Sequence, residues 1–266
     1  METIMLTLYH GRTSVCAIKA RIMLAEKGLE WNGKLMTLRG DQFDPEYLKL
    51  NPNAVVPTLV HDDKVIIESA VIPYYLNDAF PNPPLMPVSA HERSKVYMMN
   101  KLIDEYVHNA CTTLTFATAN RARMQKMGKE ALEDQLAKTP SPARAEIKRQ
   151  VAEKGLDAPL VVDALKHHVK LLKVIEDAMK GGPYVAGNAY SIADIAATPY
   201  IWRLQQLRLA RIWDHRPGVA AWFERMQQRP SFDQAINKVV TQEDFDVYRN
   251  FQPDPWPRVQ EILTTL

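Results

Sequence analysis

The chain has 266 residues, 46% apolar and 24% charged, with a formal net charge of +2 at pH 7; this is room for a sizeable core in one large domain or two smaller ones. Basic residues are spread along the chain rather than gathered, which argues against nucleic acid or a membrane surface as a partner. Only two cysteines occur, Cys16 and Cys111, and no His/Cys cluster has metal-ligand spacing, so neither a disulfide framework nor a metal site is expected.

"MLTLYH" reads as a short strand ended by Gly11. It is preceded by nothing resembling a secretory signal, and no apolar run nears the roughly 18 residues of a membrane span. A cytoplasmic protein with reduced thiols is therefore expected. "SVCAIKARIMLAEKGL" has helical apolar spacing, Ser14 as cap and Gly28 as stop. "WNGKLMTL" reads as a second strand, and "DQFDPEYLKLN" as a short irregular helix. "VVPTLV" and "KVIIES" form a strand pair around "HDDK", and "SAVIPYYLNDAF" a helix. The order is β-α-β-α-β-β-α over residues 1–80.

Residues 81–90, "PNPPLMPVSA", form a proline-rich linker. Residues 91–266 carry helical patterns with almost no strand signal. "HERSKVYMMNKLIDEYVHNACTTLTFATANRARMQKM" reads as one long, bent helix. "VVDALKHHVKLLKVIEDAMK", "SIADIAATPYIWRLQQLRL" and "PGVAAWFERMQQRP" follow it. Residues 125–159 are polar, contain "TPSPAR", and read as an insertion that is either helical or a mobile flap. After Arg229 comes a long tail, ending in extended chain and a short helix.

One stretch resists this simple reading. In "NPNAVVPTLVHDDKVIIESAVIPYYL", Pro57 falls within a strand pattern, where it removes a ladder donor. It marks an edge, a bulge or a cis bond, and only X-Pro makes cis common. A cis bond would free the Val56 backbone to pair with an extended ligand. Glu68 and Ser69 fall at the next strand-to-helix corner, where unpaired N–H groups attract a carboxylate, or where a serine simply caps.

This stretch resembles the glutathione-binding segment of the cytosolic glutathione transferases, whose pattern is NPxxxVPxL, a hairpin, then E-S opening a helix. The resemblance extends over almost the whole chain. "SIADIA" is similar to the family's capping box, with Ser191 as cap, Asp194 three residues on and Tyr190 as an apolar plug. It implies a thioredoxin-like α/β domain followed by an all-helical domain, and glutathione as cofactor. It also implies a cis Val56-Pro57 bond, and a glutathione site built from Val56, Pro57, Glu68, Ser69 and Gln42. A homodimer is implied too, with Asp104 near the neighbouring subunit's glutathione.

The corner "HGRTSVCAIKAR" must then activate the glutathione thiol. It offers Thr13, Ser14 and Cys16. Ser14 occupies the place of the catalytic serine of the theta and delta classes, and Cys16 lies near the cysteine of the beta class. Ser14 is the favoured residue, for conjugation or elimination; Cys16 implies thiol-disulfide exchange or dehalogenation instead. The layout of the insertion is similar to the bacterial S-selective lignin β-etherases, which implies attack on a hydrophobic, aromatic electrophile. Its pocket is expected from Tyr106, His108, Asn109, Thr112 and Phe116 on the long helix, with Trp202 on the "SIADIA" helix. A non-catalytic binding protein on the same architecture is the other alternative.

Overall fold

A computed structural model describes residues 5–266. Four strands make one sheet in the order β2-β1-β3-β4. They are β1 (Leu6–His10), β2 (Asn32–Leu35), β3 (Thr58–His61) and β4 (Lys64–Ile66). β1 runs parallel to β2, with Leu8 opposite Gly33, and antiparallel to β3, with Leu8 opposite Leu59. Alternation along β1 buries Leu6, Leu8 and His10 more deeply than the residues between them.

The helix α1 (Val15–Glu26) joins β1 to β2 and is buried on nearly every side, as a helix sandwiched between layers must be. α3 (Val71–Ala79), α10 (Ile192–Gln206) and α12 (Pro230–Phe232) all pack on it, and Leu8 and Leu59 of the sheet share its core. It stops at Gly28, whose φ of +62° suits a residue without a Cβ. α2 (Pro45–Leu50) leads from the second strand towards the third.

The helical half begins with α4 (Ala90–Leu102) after residues 81–89. α4 does not run straight into α5 (His108–Ala117): residues Ile103–Val107 form a π-helical turn between them. The expected single long helix is thus divided, and it stops at Thr118 before α6 (Arg121–Met127). The insertion is helical, made of the end of α6, α7 (Lys129–Ala137) and α8 (Pro142–Lys154). α9 (Leu160–Ala178), α10 and α11 (Pro217–Gln227) form the body behind it. The tail after α12 adds α13 (Gln242–Arg249) and α14 (Trp256–Leu263).

α10 starts on the expected capping box. The Asp194 carboxylate accepts the Ser191 N–H at 3.0 Å, and Ser191 Oγ accepts from Ala193 at 3.3 Å. The same carboxylate accepts from the Val185 N–H and from Trp222 Nε1, each at 2.9 Å, so one buried group ties three segments together. Among the described residues, no helix is long and apolar enough to cross a membrane.

Candidate active site

The corner between β1 and α1 is held from below by arginines. Arg21 is buried, and donates to the carbonyls of Gly11 and Arg12 at 2.9 and 2.7 Å, and to Ala235 at 2.7 Å. Arg203, from α10, donates to the carbonyl of Thr13, to Thr115 Oγ1 and to the Tyr248 hydroxyl. Three successive corner carbonyls are thereby satisfied by buried guanidinium groups, which fixes the loop ahead of Ser14. Ser14 caps α1, accepting the Ala17 N–H at 3.3 Å, and keeps its own proton for a further partner.

The second wall comes from the proline stretch. The Val56-Pro57 bond is cis. Pro57 stands just before β3 rather than inside it, so no ladder donor is lost. The Val55 carbonyl is taken by Tyr47 Oη at 2.5 Å and by Asn51 Nδ2 at 2.9 Å. Val56 tucks its side chain among Ala17, Met36 and Tyr47. β4 ends at Ile66 and α3 starts at Val71, so Glu68 and Ser69 lie in the turn between them rather than at the strand end. Glu68 adopts a left-handed φ of +72°, a conformation that costs a non-glycine residue about 1–3 kcal/mol and accumulates at ligand clamps. Its carboxylate accepts from Asn53 Nδ2 at 3.2 Å.

Ser14, Cys16, Gln42, Val56, Pro57, Glu68, Ser69 and Asp104 line one cleft of about 390 Å³, within the range of small-molecule sites. Asp104, expected beside a partner's ligand, lines the cleft of its own chain, 3.7 Å from the buried Lys19 ammonium. Cys16 Sγ lies 3.5 Å from His108 Nδ1, which is 3.3 Å from the Tyr200 hydroxyl. Burial alone would push the Cys16 thiol up; the charge and hydrogen bond of His108, then Lys19 and Ser69, outweigh it and bring it down to about 6.

Asp104, His108, Thr112 and Phe116 recur every fourth residue through the π turn and α5, and all four face the cleft. The other proposed wall residues do not. Tyr106 lies two residues from both Asp104 and His108, hence on the opposite side; it is exposed and stacks on His167 at 5.1 Å. Asn109 is exposed on the same outer side. Trp202 is a core residue, 2% exposed, edge-on to Phe245. Thr13 turns from the cleft toward the tail, its hydroxyl 3.4 Å from that of Tyr248.

α6 and the insertion close the far end with residues that the sequence did not single out: Arg123 and Met124 from the first, Leu132, Leu136, Arg144 and Lys148 from the second. The fourfold spacing of Arg144 and Lys148 on a helix was a signal for a shared face, but not for which face.

The chain matches the family described as "Glutathione S-transferase, N-terminal domain" over residues 5–78, and "Glutathione S-transferase, C-terminal domain" over residues 115–230. It is 28% identical over 242 residues to Protein LigF of Sphingobium sp. (strain NBRC 103272 / SYK-6), covering 88% of this chain and 93% of that one. The crystal structure titled Beta-etherase LigF superposes with a TM-score of 0.79, over 88% of this chain and 99% of that chain. Glutathione S-transferase 1 of Dianthus caryophyllus is 31% identical, over 75% of this chain and 77% of its own length. Tetrachloro-P-hydroquinone reductive dehalogenase of Sphingobium chlorophenolicum is 28% identical, over 86% and 94%. A four-stranded sheet with a cis-proline edge, an all-helical second half, and matches on both halves lead to one conclusion: the chain belongs to the glutathione S-transferase family and is a glutathione-dependent enzyme.

Proposed function

We propose that this transferase directs the thiol of glutathione onto an aromatic electrophile, with β-aryl ether cleavage as the reaction. The observation that carries this reading is the continuity of the cleft. The peptide groove at Val56 and Glu68 opens without a break onto a wall of Thr112, Phe116, Met124, Leu132 and Leu136. The likeness to a structure titled a β-etherase supports the choice of ether.

The residues fit glutathione. Val56 offers backbone that β3 does not use, because that strand starts at Thr58. Its N–H and C=O would hold the cysteinyl unit, and Glu68 and Ser69 the γ-glutamyl end, with Gln42 along the groove. When bound, glutathione supplies the sulfur that replaces an aryloxide on the electrophile, the aryloxide leaving with its bonding pair and taking up a proton. Ser14 would donate a hydrogen bond from its hydroxyl to that sulfur and so favour the thiolate. The unpaired N–H groups at the start of α1 add a positive field in the same direction. The apolar wall excludes water from the reacting atoms.

A second reading rests on the Cys16–His108 pair. A thiol ionised at about 6 is a ready nucleophile at neutral pH. Its sulfur would attack one sulfur of a disulfide and release the other as thiolate, which is thiol-disulfide exchange. We also read the enzyme as a cytoplasmic homodimer. Val65 and Val71 of the first half and Tyr97 and Met98 of α4 are exposed apolar groups that a second copy would cover. Sedimentation at micromolar concentration should then give twice the mass of the chain, 30.3 kDa.

The deciding experiment incubates the protein with glutathione and a β-aryl ether ketone. Phenol and glutathione thioether should appear in equal amounts. Disulfide reduction without phenol release would transfer the assignment to Cys16.

A further inference from the structure

The far half of the cleft is basic. Arg144 and Lys148 lie one turn apart on α8, and Arg123 stands across from them on α6. Two carboxylates of the insertion are occupied elsewhere. Glu133 and Glu146 both bind Arg149, at 2.8 and 2.5 Å. Among the described residues, none of the three cleft cations has a carboxylate within ion-pair distance.

Their neighbours are instead one another. Lys148 is brought down to about 8, first by burial and then by Arg144 and Arg123. Arg123 is lowered by burial and by Arg39. The Lys148 ammonium sits 4.9 Å above the Phe116 ring. Like charges gathered in a partly desolvated cleft repel without return, unless an anion enters. The ring beneath the ammonium holds Lys148 at the cleft wall by a cation–π contact.

We propose that the electrophile carries an anionic group, a carboxylate on its aromatic skeleton, held by Lys148 and Arg144 with Arg123 at the mouth. This rests on the aromatic-electrophile reading above and narrows it to acidic substrates. Glutathione also carries carboxylates, so the two sources must be told apart. The amino-acid end is assigned to Glu68 and Ser69, between β4 and α3, and the KM for glutathione reads its carboxylates separately.

The test uses two β-aryl ethers that differ only in a carboxylate and its methyl ester. The wild-type enzyme should favour the acid by roughly tenfold in kcat/KM, and the advantage should shrink as salt is raised. Lys148→Gln and Arg144→Gln should each raise KM for the acid by roughly tenfold, and leave the ester and the KM for glutathione unchanged. Calorimetry with an unreactive aryl carboxylate and the enzyme without glutathione gives a readout independent of turnover. Binding should weaken by a similar factor in both variants. An ester handled as well as the acid, or variants that lose both equally, would overturn the proposal. So would a rise in KM for glutathione alone, which would give the cations to glutathione. If neither ether reacts, the ether assignment fails, and the calorimetric arm still decides whether the basic pocket takes an aryl carboxylate.

Discussion

Ser14 and Cys16 face the same cleft two residues apart, and their variants should separate two chemistries. Ser14→Ala should lower ether cleavage at pH 7 by about tenfold or more, with glutathione affinity nearly unchanged, because the loss falls on the charged sulfur. Part of the rate should return at higher pH, where the thiol ionises without help. Cys16 is best followed by alkylation with iodoacetamide. Its thiolate forms as pH rises through about 6, so the rate should level off near pH 7. In His108→Ala the main opposition to burial is gone, the thiol moves up, and alkylation at pH 7 should slow by roughly tenfold. A profile unchanged by His108→Ala would remove the basis for the Cys16 reading. Glu68→Ala should raise the Kd for glutathione by about tenfold without unfolding, as loss of a charged hydrogen-bond partner does. Glu68, Ser69, Val56 and Pro57 were legible in the sequence because they belong to one local stretch whose spacing encodes its own turn. Arg21 and Arg203 were not: a buried arginine and a surface arginine look alike until tertiary contacts give it carbonyls to satisfy.

Among the elements, the fourfold row through α5 and the capping box of α10 show opposite degrees of legibility. The box is local, so Ser191 and Asp194 could be read directly. The wall depended on the helix phase. Tyr106 and Asn109 sit two residues before and one residue after His108, about 200° and 100° around the helix from it, and a run of polar and aromatic residues carries no mark of which side faces the cleft. Asp194 should matter more than an ordinary cap. Burial raises its carboxyl to about 6, against the pull of Val185, Trp222 and Ser191. Native protein therefore holds a proton there between about pH 4 and 6 that the unfolded chain has released. This contribution to stability is full below pH 4 and is lost as pH rises through 6. Asp194→Ala leaves four buried donors without their acceptor and should cost about 3 kcal/mol or more, roughly 6–12 °C in Tm by calorimetry.

Across the whole molecule, the two halves are joined by charge as well as by apolar packing. Arg229 grips Glu26 with two bonds of 2.7 Å, and Arg21 reaches Ala235. This makes independent movement of the halves costly, and keeps the Val56–Glu68 edge and the basic wall in one cleft. The tail takes part through Tyr248, whose hydroxyl lies 3.2 Å from Arg203 and 3.4 Å from Thr13. Tyr248→Phe should cost about 1–2 kcal/mol in urea unfolding and reduce kcat more than it changes the KM for glutathione, because it loosens the corner and not the groove. Equal loss in both parameters would assign Tyr248 to general stability alone.

The link from Arg203 to Thr13 spans 190 residues, and that from Tyr248 to Thr13 spans 235. During translation, the groove residues emerge first and can fold while the ribosome is still making the helical half. The guanidinium that settles the β1–α1 corner is made 190 residues after Thr13, and the phenol beside it later still. A nascent chain can thus form the Val56–Ser69 stretch long before the contacts that settle the Thr13 corner exist.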